Sequence, residues 1–107
     1  MKKKLLDELR ARDTHCWHCG IEDDLVPHHR KNRGAGGSKL LDHATNLLMI
    51  CASYNGLMES DADCAAQARV YKHKLRRTDT FFEPVFDKFA GKWFILTIEG
   101  TKFEQEG

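Results

Sequence analysis

Hydrophobic positions along this chain change their spacing several times, and each change marks an element. Within residues 3–12, Leu5, Leu6 and Leu9 fall on one helical face and charges occupy the others, so an amphipathic helix is predicted. Residues 24–30 (DLVPHHR) are too short for a helix and carry Pro27, which has no backbone N–H to give; they read as an extended strand. The apolar run 46–51 (NLLMIC) reads as a buried strand or a strand-like turn. Residues 54–77 are helical in composition, with a break or fresh start at 60–63, where Ser60, Asp61 and Asp63 favour N-caps. After Thr78 aromatic and β-branched runs flank Ala90-Gly91, which predicts a hairpin.

Between these elements lie two polar segments. Residues 16–20 (CWHCG) form a tight turn, two cysteines separated by two residues and followed by a glycine. Residues 31–39 (KNRGAGGSK) form a glycine-rich loop too polar to pack. There are no repeats and no low-complexity tract. The expected class is α+β in a single domain over 1–107, with a motif core at 16–59 and a β-rich extension at about 80–105.

Charge changes the picture more by its placement than by its sum. The net charge of +1 points to no partner. Residues 1–77, however, hold 14 Lys/Arg against 10 Asp/Glu, and residues 78–107 hold 3 against 6. The basic bias travels with the histidines and cysteines and permits a polyanionic partner. The N-terminus starts basic, but Asp7 and Glu8 interrupt any apolar core of a signal peptide, and no membrane segment is present. The expected compartment is the cytoplasm, where thiols stay reduced; four cysteines there suggest metal ligation more than disulfides.

Cys16-x2-Cys19 lets one backbone knuckle present two sulfurs to a tetrahedral ion, and Cys51 lies where the second half of such a site would. A full second half would read Cys-x2-Cys, but its last place is Tyr54. The zinc set is then Cys16, Cys19, Cys51 and Cys64, or it recruits His15 or His18, or the four are small buried thiols without metal. A redox role for Cys16 and Cys19 is disfavoured because no βαβ context surrounds them. His28 and His29, adjacent on a strand, point to opposite faces, so one can ligate a metal while the other has a different task.

The order Cys16-x2-Cys19, His28-His29-Arg30, Asn46-Leu47, Cys51, Asn55 resembles the HNH endonucleases, over somewhat less than half of the chain. That resemblance implies a ββα-metal (His-Me finger) core with a zinc knuckle, here joined to an N-terminal helix and a C-terminal β-hairpin. It implies that His28 is a ligand of the catalytic metal, that His29 is the general base, and that Asn46 braces the loop between the strands. Asn55 takes the place of the motif's last histidine, an H-N-N variant, and Glu59 is a further ligand one helical turn on. A carboxylate with an amide oxygen suits a hard ion such as Mg²⁺ or Mn²⁺, with Ni²⁺ a further candidate, beside the structural Zn²⁺. Small proteins of this look occur in phages and prophages, so the implied partners are DNA and either a second copy or phage packaging proteins.

Phosphodiester hydrolysis needs an activated water and charge neutralisation on the phosphate. A neutral histidine can take the proton from water, and a divalent ion can polarise the phosphate. Arg30, Lys31, Arg33 and Lys39 are the expected DNA contacts, and Gly34, Gly36 and Gly37 allow close approach of the loop backbone. The predicted function is a metal-dependent DNA endonuclease; the alternative is a non-catalytic zinc-knuckle module that binds nucleic acid. Lys72, Lys74, Arg76 and Arg77 around His73 form either a second phosphate-contacting face or a solvated helix end. His43 is expected at a helix cap or on the surface, and Trp17, Phe81, Phe82, Phe86, Phe89, Trp93 and Phe94 in packing roles.

Overall fold

A strand buried at all five of its positions, as residues 47–51 are, needs cover on both faces, and the rest of the chain supplies it. The computed structural model describes residues 1–32 and 39–105. In chain order it contains helix α1 (Lys3–Arg12), strand β1 (Leu25–His29), two short 3-10 turns (Lys39–Leu41 and Ala44–Asn46), strand β2 (Leu47–Cys51), helices α2 (Ala52–Ser60) and α3 (Ala62–Val70), and strands β3 (Val85–Asp87), β4 (Lys92–Leu96) and β5 (Lys102–Glu104). The architecture is α+β, with two antiparallel sheets, β1-β2 and β3-β4-β5. Among the described residues no helix is long and apolar enough to cross a membrane.

β1 pairs with β2 in the register Leu25↔Cys51 to His29↔Leu47. Alternation along β2 sends Leu47 and Met49 to one face, where they pack with Leu9 of α1. Leu48 and Ile50 go to the other, into the main core with Trp17, Tyr54, Met58, Val85 and Leu96. Because cross-strand partners share a face, His28 opposite Leu48 looks toward the main core and His29 opposite Leu47 toward α1. α1 is fastened by its last turn. Arg12 pairs with Asp13 (2.7 Å) and donates to the carbonyls of Ala44 (2.8 Å) and Leu47 (2.6 Å), while Asp13 accepts from the Met49 N–H (3.1 Å).

The break between α2 and α3 falls on one residue, Asp61. Its N–H closes α2 on the Leu57 carbonyl, and its side chain caps α3 through Asp63 N and Cys64 N. The helix predicted to continue to residue 77 instead stops at Val70. Lys72 takes a left-handed conformation (φ 63) and reverses the chain, and Leu75 N then donates to the Arg30 carbonyl (2.7 Å). The basic segment therefore runs back beside the end of β1, and His73 is fully buried there rather than on a solvated helix end.

The expected hairpin forms between β3 and β4, with Gly91 at φ 71 in its turn, and β5 extends it to three strands. Phe94 packs against the main core, but Phe82 and Phe89, expected in packing roles, are exposed because they sit in the turns on either side of β3. Trp93 is also partly exposed. The hairpin turn reaches back to the Cys-x2-Cys loop. Lys88 N donates to the Trp17 carbonyl (2.9 Å), and a Cβ at Gly20 (φ 80) would run into the Phe89 ring.

Candidate metal centre and histidine site

The turn at 16–20 and the junction of β2 with α2 bring three thiols together. The Sγ atoms of Cys16, Cys19 and Cys51 all lie within 4.8 Å of one another, with Cys19 and Cys51 at 3.7 Å. Backbone N–H groups point at the sulfurs: His18 N and Cys51 N at Cys16 Sγ (3.3 and 3.2 Å), and Tyr54 N at Cys51 Sγ (3.4 Å). Such donors favour thiolate over thiol. Burial pushes the Cys19 thiol up, but the N–H of Ile21 and the neighbouring sulfurs outweigh it and leave Cys19 below its ordinary value. Cys51 is pushed up to about 11, first by burial, with the sulfurs beside it adding. Thiols crowded in this way cannot all ionise unless a cation joins them, and the cluster can hold a metal ion compatible with structural zinc.

Cys64 does not belong to this group. The first turn of α3, a fresh helix begun on Asp61, places it, and its thiol packs against the main core instead. Neither alternative histidine joins the three thiols. His15 Nε2 bonds to Asp87 (2.7 Å), and the His18 ring stacks on Tyr54 (centroids 4.0 Å, interplanar angle 11°).

The paired histidines leave the end of β1 in different environments. His28 is buried; its Nε2–H donates to the His73 carbonyl (2.9 Å), and the Asn55 side chain on α2 is close enough to act on its ring. Burial lowers its pKa to about 4; the bond to His73 and the Asn55 side chain oppose the shift and the nearby Lys74 cation adds to it. His28 is thus a neutral imidazole near pH 7, the form that ligates metals. Glu59 lies one turn beyond Asn55 on α2 and is exposed. His29 Nε2–H donates to Asp42 Oδ1 (2.6 Å), which leaves Nδ1 as the atom able to take a proton. Asp42 also lines a cavity of about 690 Å³ together with Lys2, Lys4 and His43.

Asn46 is fully buried and ties both ends of the loop between the strands. Its Oδ1 accepts from Lys31 N (2.8 Å), and its Nδ2 donates to the carbonyls of Lys31 (3.2 Å) and Leu41 (3.0 Å). His43 sits just before the second 3-10 turn, with Nδ1 bonded to Thr45 Oγ1 (2.7 Å).

Arg30 corrects the sequence reading. It is 0% exposed, and its guanidinium donates to the carbonyls of Lys72, Thr45, Phe81 and Glu83 at 2.8–3.3 Å. A side chain enclosed in this way grips backbone, not DNA. Burial first, then the Arg12 cation, lowers its pKa to about 10, so it remains charged at neutral pH. Lys31 is similarly engaged. Its ammonium donates to the carbonyls of Arg77 (3.2 Å) and Asp79 (2.6 Å) and lies 4.7 Å from the Phe81 ring centre. The expectations for Arg33, for the glycines of the loop and for the side chain of Lys39 fall outside the described residues.

The sequence reading did not single out Asp42, Tyr54's partner His73, or Lys74 as part of this site. Asp42 is a carboxylate shortly before Asn46, a placement that carries no recognisable spacing. His73 and Lys74 reach the site only because Lys72 turns the chain. No family model, curated protein or solved structure matches the chain. The resemblance to HNH endonucleases therefore rests on the sequence motif alone.

Proposed function

We propose that this protein is a metal-dependent endonuclease that hydrolyses phosphodiester bonds in DNA, built on a ββα-metal core made of β1, β2 and α2. The observation that carries this reading is the His28–His29 pair, in which one imidazole is buried, neutral and bonded to the His73 carbonyl, and its neighbour is held by a carboxylate. The donor set of His28, Asn55 and Glu59 fits a divalent cation, Mg²⁺, Mn²⁺ or Ni²⁺, which when bound would neutralise charge on the phosphate and the departing oxygen. His29 acts as general base: Nδ1 takes the proton from the attacking water, and Asp42 stabilises the imidazolium that results. Asn46 keeps the intervening loop in place. Lys74 brings positive charge close to His28, where a phosphate would sit.

The test is plasmid cleavage by the purified, folded protein in EDTA, Mg²⁺, Mn²⁺ and Ni²⁺, with His29→Ala alongside. The expected outcome is metal-dependent nicking or linearisation that falls by about 10²- to 10⁴-fold in the variant. A folded protein that retards DNA in a gel but cleaves it with none of these metals would replace this reading with a nucleic-acid-binding knuckle.

A further inference from the structure

Tyr54 occupies the place where a second Cys-x2-Cys pair would put its last thiol, and the fold gives that side chain other attachments. Its ring stacks on His18, inside the Cys16–Cys19 turn, and its hydroxyl lies 2.7 Å from His73 Nδ1. Tyr54 and His73 are 3% and 0% exposed, so no bulk water competes for these bonds. His73 Nε2 lies 2.6 Å from the Phe86 carbonyl. A carbonyl only accepts, so Nε2 carries the ring proton, Nδ1 is the acceptor and the Tyr54 O–H is the donor. The main-chain carbonyl of the same His73 accepts from His28 Nε2–H, which places the His28 lone pair on Nδ1. One hydroxyl thus ties the three-cysteine cluster to the segment that sets the tautomer of His28.

We propose that Tyr54 is a positioning residue: it leaves the fourth position of the Cys16–Cys19–Cys51 metal centre to a ligand from outside that set and, through His73, fixes the orientation and tautomer of His28. The value of that tautomer for holding a catalytic cation rests on the nuclease reading; the link between the two centres does not. A three-thiolate centre with one exchangeable position follows from the first half, and a His28 ring that responds to a change at Tyr54 follows from the second.

The experiment uses the full chain as wild type, Tyr54→Cys and Tyr54→Phe. With Co²⁺ in place of zinc, the visible spectrum should report three sulfur ligands in the wild type and four in Tyr54→Cys. Zinc should be held at least about tenfold more tightly by Tyr54→Cys in competition with a chelator. Tyr54→Phe should keep one zinc per chain, move the imidazole nitrogen resonances of His73 and His28, and weaken Mn²⁺ binding measured by calorimetry by about 10- to 100-fold. A four-sulfur spectrum in the wild type, or an unchanged one in Tyr54→Cys, would overturn the assignment of the fourth position. Unmoved His28 resonances in Tyr54→Phe would overturn the link. If Tyr54→Phe does not fold, the wild-type spectrum decides: either ring protonated on Nδ1 rather than Nε2 refutes the link. Wild-type protein that passes the cobalt and imidazole-resonance tests yet binds no Mn²⁺ and cuts no DNA would sink the nuclease reading alone.

Discussion

Arg30 does not take the place its sequence position suggests, and Asp42, assigned no role from the sequence, holds His29. Arg30 follows two histidines and opens a basic stretch, yet its donors are taken by four carbonyls from segments as distant as 45 and 83. Arg30→Ala would leave those acceptors buried without partners. It should lower stability by about 3 kcal/mol or more in urea unfolding, with no loss of DNA affinity in the molecules that remain folded. Arg30→Lys should fail almost as badly, because one ammonium cannot reach carbonyls that a planar fork spans. Asp42→Asn keeps an oxygen near His29 Nε2 but removes the charge that steadies an imidazolium; cleavage should slow at least about tenfold while the urea midpoint stays put. The three clustered thiols were legible because Cys-x2-Cys is a local geometry and Cys51 closes a short apolar strand. Cys64 was not, since its distance from the sulfurs depends on where a helix restarts. Nor does charge alone distinguish an arginine that meets solvent from one that stitches backbone.

At the scale of elements, β1, β2, the β3–β4 hairpin and the helix break were readable from period, caps and turn residues, while β5 was not. β2 announced itself as an unbroken apolar run, and Asp61 is a strong N-cap. The end of α3 was not readable. Residues 71–77 have the composition of a helix, but the left-handed Lys72 and the bond from Leu75 N to Arg30 turn them into a return segment, a case of tertiary contacts overriding propensity. That return buries His73, and its carbonyl receives His28. Both histidines have pKa values depressed by burial, to about 3 and about 4. In the unfolded chain each regains its ordinary value near 6.5 and binds a proton that the folded state refuses. The unfolded state therefore takes up more protons as pH falls through about 6.5, and stability drops until the folded pKa values are reached. Thermal unfolding from pH 8 to pH 3 should show a plateau above pH 7. Below it the loss should be steep, on the order of 1.4 kcal/mol per pH unit for each such histidine. A flat profile between pH 6.5 and 4 would mean that the return segment does not bury them.

For the molecule as a whole, the three-cysteine cluster lies where the Cys-x2-Cys turn, the β2–α2 junction and the C-terminal sheet meet. Cys16 and Cys51 belong to the same core cluster as Val85 and Leu96. The radius of gyration of 12.7 Å is close to the ~13 Å expected of one folded unit of this length, so little of the chain is independent of that core. Cys16→Ser, or chelation of a bound ion, should consequently unfold the protein globally rather than loosen one loop. The loss should reach several kcal/mol, seen as a single cooperative transition moved to lower temperature by circular dichroism. The sequence set the β-rich extension apart as an addition of undecided role. Its packing against residues 16–20 was invisible there because contacts between opposite ends of a chain leave no local pattern.

That contact also orders events in time. All three clustered thiols lie in the first 51 residues of the chain, and β3 and β4 follow them. The turn that carries Cys16 and Cys19 is therefore made before the segment that packs on it. The hairpin arrives last and grips that turn on both sides of Cys19, at Trp17 and at Gly20. A substitution that loosens the hairpin should therefore also loosen the turn that presents Cys19 to the other two thiols.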